Sequence, residues 1–226
     1  MTTLNHLIYD IKNIIYGGRA HDDAEINDRQ IAYWVTQVRA MLIRQELFAK
    51  TSIHDSWVQH LIVTMDQADT SEACGINTGC YILKSTQVIP RTIRRNSRNT
   101  VTAVQSIDET TSFSETSIFR KKFNEHNKYT GSKSRWYLKN DYLYITNSKV
   151  IEKVSLSGIF EDPSEAARFT SCSGTPCFTN DTSYPVSADM ASKITDIIVK
   201  TKATITAIGI DDDDTNDAKD KKEHTK

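Results

Sequence analysis

The sequence has little of what would mark a secreted scaffold, a membrane protein or an enzyme of familiar type. Its 226 residues include four cysteines, Cys74/Cys80 and Cys172/Cys177. Four in so long a chain do not make a disulfide framework, and neither spacing matches the C-x₂-C knuckles of zinc ribbons. Free thiols in a reducing compartment are expected; a zinc site would need the two pairs to meet in space. No apolar run approaches the length needed to cross a bilayer. The start, MTTLNHLIYDIKN, has no basic stretch and no cleavage site, so no secretory signal is expected. Net charge is -1, too balanced for a chain that binds nucleic acid through bulk charge. No HExxH, G-x-S-x-G or Walker motif occurs, and His6, His21, His54, His60, His126 and His224 are scattered. Ser171-Cys172-Ser173-Gly174 has the look of a nucleophile loop, but no histidine stands in a fixed relation to it. No repeat of solenoid period is present.

What is there suits a soluble globular protein: 38% hydrophobic and 25% charged residues, enough for one large domain or two small ones. Leu4, Leu7, Ile8, Ile11, Ile14 and Ile15 recur at helical spacing, with Thr3 as a cap and Gly17-Gly18 as a stop. A second helix starts at Asn27, where Asn-x-x-Gln forms a capping box and Ile26 can staple to Ile31. Its expected stripe is Ile31, Trp34, Val35, Val38, Met41 and Leu42, on toward Phe48, with Arg29, Arg39 and Arg44 off it. That is a helix of about six turns. The polar stretch between, YGGRAHDDAEINDRQ, is then a connector. A phosphate loop would need a strand before the glycines and a Lys-Ser/Thr after them, and neither is present. A metal on His21, Asp22 and Asp23 would need ligands from elsewhere.

From about residue 52 to 160, Thr, Val, Ile and aromatics rise. WVQHLIVTM, GCYILKSTQVI and NTVTAVQSI read as strands, with Pro90 confined to a strand end or an edge. SRWYLKNDYLYITN reads as an aromatic hairpin, Trp136 and Leu138 alternating with Tyr137, then a Lys-Asn-Asp turn, then Tyr142 to Ile145 returning. FSETSIFRKKFNEHN, with Phe113, Ile118, Phe119 and Phe123, is expected to be a helix inserted in the sheet region. In GIFEDPSEAARF, Asp162 caps a short helix, Pro163 opens it and Glu165 closes the box. An irregular loop follows. The last helix begins after Ser187, with the stripe Met190, Ile194, Ile197, Ile198, Thr201, Ile205 and Ile208, and stops at Gly209.

The expected class is therefore α+β, with amphipathic helices from both chain ends packed together and a β-rich middle lobe containing the aromatic hairpin. The expected parts are an N-terminal helical hairpin at 1–51, the β-rich lobe at 52–160, a short helix, loop and C-terminal helix packing on the N-terminal helices at 161–209, and an acidic polar tail at 210–226.

Charge is unevenly placed. Residues 84–139 hold twelve bases against four carboxylates, and residues 211–220 hold six aspartates against Lys219. Opposite charges at separate places orient neighbours in a self-associating protein. In a monomer, a basic segment with Trp136, Tyr137 and Tyr144 suits contact with phosphates and bases. Candidate interaction residues are Arg91, Arg94, Arg95, Arg98, Trp136, Tyr137, Tyr142 and Tyr144, with Asp211, Asp212, Asp213 and Asp214 in the tail. The aspartates repel one another and build no core, so the tail suits docking on Lys or Arg of a partner, or plain solubility.

The stretch LIYDIKNIIYGGRAHDDAEINDRQIAYWVTQVRAMLIRQE resembles the N-terminus of a structural protein of crAss-like and related tailed bacteriophages. The likeness continues in order through TGCYILKSTQVIPRTIR, SRWYLKNDYLYI, SGIFEDPSEAARF, YPVSADMASKITDIIVK and DDTNDAKD. It covers nearly the whole chain, and its strength lies in colinearity rather than in a diagnostic motif. The resemblance implies a virion component, a head-tail connector or tail ring protein with no catalytic residues and no cofactor, assembled in the host cytoplasm. It implies a homo-oligomeric ring, usually twelvefold, in the portal-proximal neck or tail of a short-tailed phage. Its partners would be the portal protein and neighbouring tail ring proteins, with no membrane, and genomic DNA would pass through without sequence-specific contact. The first ring, next to the portal, is the expected place. Two other classes remain: a monomeric nucleic-acid-binding protein using residues 84–139, and a metal-dependent hydrolase using His21, Asp22 and Asp23.

The connector reading has a direct check. Asp22→Asn with Asp23→Asn should leave folding and assembly nearly unchanged; loss of a metal-dependent activity would overturn it.

Overall fold

The computed structural model describes residues 2–18, 26–49, 52–68, 82–96, 98–117, 119–120, 128–129, 133–148 and 151–203. The chain divides into two compact units, Met1–Gln45 with Asn180–Lys226, and Glu46–Thr179. Helices at both chain ends and a β-rich middle give the expected α+β class. The expectations for His21, Asp22 and Asp23, Cys74 and Cys80, Phe123, Ile205, Ile208 and Gly209, and the acidic tail lie outside the described residues.

In the first unit, α1 (Leu4–Ile15) is capped by Thr3, whose hydroxyl accepts from the His6 amide. It stops as its glycines require. Gly17 and Gly18 have φ of 60° and 77°, and the Gly18 amide reaches back to the Asn13 carbonyl at 2.8 Å, the longer bond of a Schellman motif. Leu4, Leu7, Ile8 and Ile11 are buried, but Ile14 is exposed, so the apolar stripe ends a turn earlier than its spacing suggested. The last helix, α3 (Ala188–Ile198), packs on α1 and continues as a π-helical turn, Val199–Ala203. It buries Met190, Ala191, Ile194 and Ile198, while Ile197 is only half-buried and Thr201 is exposed. The Tyr184 amide donates to the Thr2 carbonyl, and the Asn5 side chain donates to Asp181 at 2.6 Å, tying the segment before α3 to the start of α1.

The second helix, α2 (Asp28–Ala49), corrects the expected stripe. Ile31, Val35, Arg39, Ile43 and Leu47 are the buried positions, while Met41 and Phe48 are exposed. A strict four-residue step advances the buried side by about 40° each time, or about 160° from Ile31 to Leu47. The division between the two units falls within this helix, after Gln45. Arg39, expected off the stripe, is fully buried. Its Nε donates to the Pro185 carbonyl at 2.9 Å and its guanidinium lies 5.8 Å from the Tyr184 ring centre. The long apolar stem fills a core position while the charged end meets a carbonyl and a ring face. Asn27 caps α2 by accepting from the Arg29 amide at 3.2 Å.

The second unit is built on a seven-stranded sheet of order β5-β9-β1-β2-β8-β7-β6. Its strands are β1 (Gln59–Gln67), β2 (Ile82–Ser85), β5 (Val101–Ser106), β6 (Ser114–Glu115), β7 (Arg135–Lys139), β8 (Tyr142–Thr146) and β9 (Lys153–Gly158). A separate two-stranded ribbon joins β3 (Arg94–Arg95) to β4 (Arg98–Asn99). Alternation fixes the apolar face. Leu61, Val63 and Met65 of β1 share it with their register partners Leu156, Val154 and Ser85. Ser85 is tolerated there because its hydroxyl accepts from the Leu143 amide and donates to the Gln87 carbonyl.

Of the helix expected over residues 113–127, residues 118 and 121–127 lie outside the described residues, and the described start is strand instead. Ser114–Glu115 pairs in parallel with Arg135–Trp136. Just before it, the Phe113 amide donates to the Val104 carbonyl and the Ser106 amide to the Thr111 carbonyl, both at 2.9 Å. Residues 111–116 thus bond to both outermost long strands and nearly close the sheet into a barrel. Backbone demand at two sheet edges outweighs the loose helical spacing of the phenylalanines. Pro163–Arg168 is a short 3₁₀ helix; Asp162 caps it as expected by accepting from the Ser164 amide. Cys172 and Cys177 are free thiols.

Arg39→Ala removes a packed stem and a charge-assisted hydrogen bond and should lower stability by about 3 kcal/mol. Asn27→Ala, a lost cap, should cost about 1 kcal/mol. Urea unfolding of the two variants measures the ratio; equal losses would refute a core role for Arg39.

Candidate interaction surface

The surface that sequence reasoning singled out is built around two hairpins of the second unit. β7 and β8 pair in full register from Arg135↔Thr146 to Lys139↔Tyr142, leaving a two-residue turn, Asn140-Asp141. Their φ values, 51° and 61°, are the left-handed pair of a type I′ turn, which Asn and Asp tolerate better than other side chains. Tyr137 and Tyr144, opposite each other, stack with ring centres 5.2 Å apart and planes 6° from parallel. Trp136 shares the apolar face with its partner Ile145. On the Tyr144 side, Lys84 places its ammonium 4.2 Å from the Tyr142 ring centre.

The turn anchors the neighbouring chain. The Asp141 carbonyl accepts from the Ile89 amide at 2.7 Å, and its carboxylate lies 3.4 Å from Arg91 Nε. The Arg91 carbonyl accepts from the Glu161 amide at 2.8 Å, and Thr92 bridges to Phe160. At the base of the ribbon the Thr100 hydroxyl bonds to the Ile93 and Ile159 carbonyls. Gly158 belongs to the same packing: a Cβ there would stand 3.3 Å from the Thr100 carbonyl oxygen. The ribbon pairs Arg94 with Asn99 and Arg95 with Arg98, with Asn96 at φ 46° in its turn.

Between ribbon and hairpin turn lies a cavity of about 380 Å³, with Arg91, Arg94, Asp141 and Glu161 among its walls. A second, of about 280 Å³, shares Arg91 and Asp141 and adds Glu165 and Arg168. Guanidinium and carboxylate groups of both signs suit a polar peptide better than one small ion. His60 Nδ1 and Ser157 Oγ are 2.7 Å apart as a cross-strand pair of β1 and β9, and neither lines either cavity. Among the described residues, no group of three or more His, Cys, Asp or Glu could hold a metal ion. No described helix is long and apolar enough to cross a membrane.

The structure brings part of the predicted set together. Arg91, Arg94 and Arg98 are exposed on this surface and Arg95 is half-buried. Trp136, Tyr137 and Tyr144 are 4%, 8% and 6% exposed, so their rings pack the lobe and present no face on which a base could stack. Tyr142 is half-buried, and Asp211, Asp212, Asp213 and Asp214 lie outside the described residues. Asp141, Glu161 and Arg168 were not singled out. Asp141 was legible as a turn residue, but its contact with Arg91, fifty positions away, has no local signal.

Two comparisons bear on identity. A family model described as phage tail ring protein 2 matches residues 6–222. No curated protein matches the chain.

The turn geometry gives a test. Asp141→Gly loses an exposed ion pair worth at most about 1 kcal/mol but relieves the left-handed backbone, so it should be nearly neutral. Asp141→Ala loses the pair and keeps the strain, and should melt measurably lower. Equal melting temperatures for the two would refute strain at this position.

Proposed function

Since the chain belongs to the phage tail ring protein 2 family of crAss-like phages, a family of virion structural proteins, we propose that it acts by assembling. Copies form a homo-oligomeric ring, twelvefold to match the portal, in the portal-proximal neck or tail of a short-tailed phage. The ring joins the portal to the neighbouring tail ring proteins and surrounds the channel through which the genome leaves. DNA meets it without sequence-specific contact. The role is structural, with no catalytic residue and no cofactor. The family match over residues 6–222 carries this reading.

The surface of the chain supports it. Tyr33, Met41 and Phe48 are exposed on α2, at spacings that put them on one side of the helix, and Tyr9 and Ile14 are exposed on α1. Large apolar side chains along helices are the material of contacts between copies. The described ends of the chain are helical and the middle is a stiff, nearly closed sheet, so helices can pack around the ring while the lobe reaches a neighbouring ring. The family description numbers the ring two and does not mention the portal.

Mass photometry of the purified full-length protein and electron microscopy of virions test the reading together. The expected result is a large discrete assembly and density for this chain in a ring of the neck or tail. A chain that is monomeric in the mature virion would rule it out.

A further inference from the structure

The exposed side of α2 differs in kind from that of α3 in the same unit. Arg29, Tyr33, Gln37, Met41 and Gln45 are exposed, one residue in every four. They form one ridge that turns around the axis in step with the buried side. Tyr33 and Met41 keep 62% and 41% of their surface open. Residues 29–45 contain three arginines and no carboxylate. Tyr, Met and Arg without Asp or Glu is the make-up of a contact surface between proteins. On α3 the exposed side is an ordinary polar mixture, with Asp189, Ser192, Lys193 and Asp196.

Charge decides what fits the ridge. A closed ring needs two different surfaces that match, one offered to each neighbour. Two α2 ridges set face to face would bring arginines together with no carboxylate to meet them. The complement stands on α3. Of the other helix carboxylates in the unit, Asp10 lies against His6 and Asp28 against Lys12. Asp189 and Asp196 make no ion pair among the described residues. Ala188 and Ser192, exposed beside them, are small, so a tyrosine ring can come close to the helix there.

We propose that the α2 ridge, led by Tyr33 and Met41, packs on the exposed side of α3 of a neighbouring copy, with Arg29 facing Asp189 and Asp196. This rests on the ring reading above. Rows of every fourth residue on two helices interdigitate when the axes cross at about 50°. Each copy gives its ridge to one neighbour and its α3 to the other, so one contact repeats around the circle. The large side chains hold the contact, and the charges set which surfaces meet.

Substitutions at exposed positions test it in the full chain. Tyr33→Gln with Met41→Gln keeps good helix formers and removes the apolar part of the ridge. Its melting temperature should stay near the wild type. The concentration at which half the chain is assembled, read by mass photometry, should rise about tenfold or more. Tyr9→Gln, at an exposed position of α1, should leave that concentration unchanged. A ridge variant that assembles like the wild type would overturn the proposal and leave the ring reading intact; an equal loss with Tyr9→Gln would also count against it. Charge reversal identifies the partner surface. Arg29→Glu and Asp196→Lys should each assemble poorly at low salt. Their equimolar mixture should recover, because each altered ridge then meets an altered α3 of opposite sign. Absence of recovery would refute the pairing with α3. Should copies come together only on the particle, the same variants are compared by their incorporation into virions, with the same losses expected. A ridge variant that forms rings normally but is missing from virions would place a different virion protein on the ridge and defeat the proposal. A wild-type chain found in no ring, in solution or in the virion, would remove the ring reading and this contact with it.

Discussion

The sheet of the second unit depends on the six residues from Thr111 to Thr116. A sheet of several strands has two edges, and each edge is a row of unpaired amides and carbonyls open to any passing strand. Here one short segment serves both. Ser112 bridges to Gln105 of β5, Ser114 and Glu115 pair with β7, and the Thr116 amide donates to the Trp136 carbonyl at 2.8 Å. The turn that delivers this segment is fixed locally. Ser106 and Thr110 hydroxyls donate to the Asp108 carboxylate and hold its pKa below the ordinary value, and Glu109 takes a left-handed backbone at φ 56°. Pairing off the edges leaves fewer unpaired backbone groups open to a passing strand.

In α2 the buried side is not one straight stripe. The four-residue step of Ile31, Val35, Arg39, Ile43 and Leu47 turns the buried side steadily around the axis. Arg39 stands at the midpoint of that sweep, where its stem is packed and its guanidinium meets the Pro185 carbonyl. An apolar residue there would pack as well but leave that carbonyl without this donor. The arginine therefore links α2 to the chain just before α3 by a directional bond as well as by apolar contact.

Local features were legible where local chemistry decides them. The Thr3 and Asn27 caps, the glycine stop of α1 and the Asp162 cap each involve neighbours within a few residues, and each stands where the sequence put it. What was not legible depends on partners far along the chain. Arg39 looked like a solvated charge because no apolar period includes an arginine by type, although the spacing of Ile31, Val35, Ile43 and Leu47 leaves a gap at that position. The Phe113 segment had phenylalanines at loosely helical intervals, and only the two sheet edges, neither adjacent to it throughout, make it strand. The aromatics of the β7–β8 hairpin were read as surface, and the expected Lys-Asn-Asp turn is one residue too long, since Lys139 pairs with Tyr142. Alternation tells which side of a strand a residue lies on and does not tell whether that side is covered.

That burial changes what the basic segment can be. Trp136, Tyr137 and Tyr144 are packed in the lobe and offer no stacking face, while Phe119 and Tyr129 of the same basic segment are exposed. The two-stranded ribbon is separate from the seven-stranded sheet's ladder but is tied to it at its base, where the Ile93 amide donates to the Ile159 carbonyl and the Thr100 hydroxyl bonds to the Ile93 and Ile159 carbonyls. The sheet nearly closes, and the turn of β7–β8 holds Arg91 through the Asp141 carboxylate.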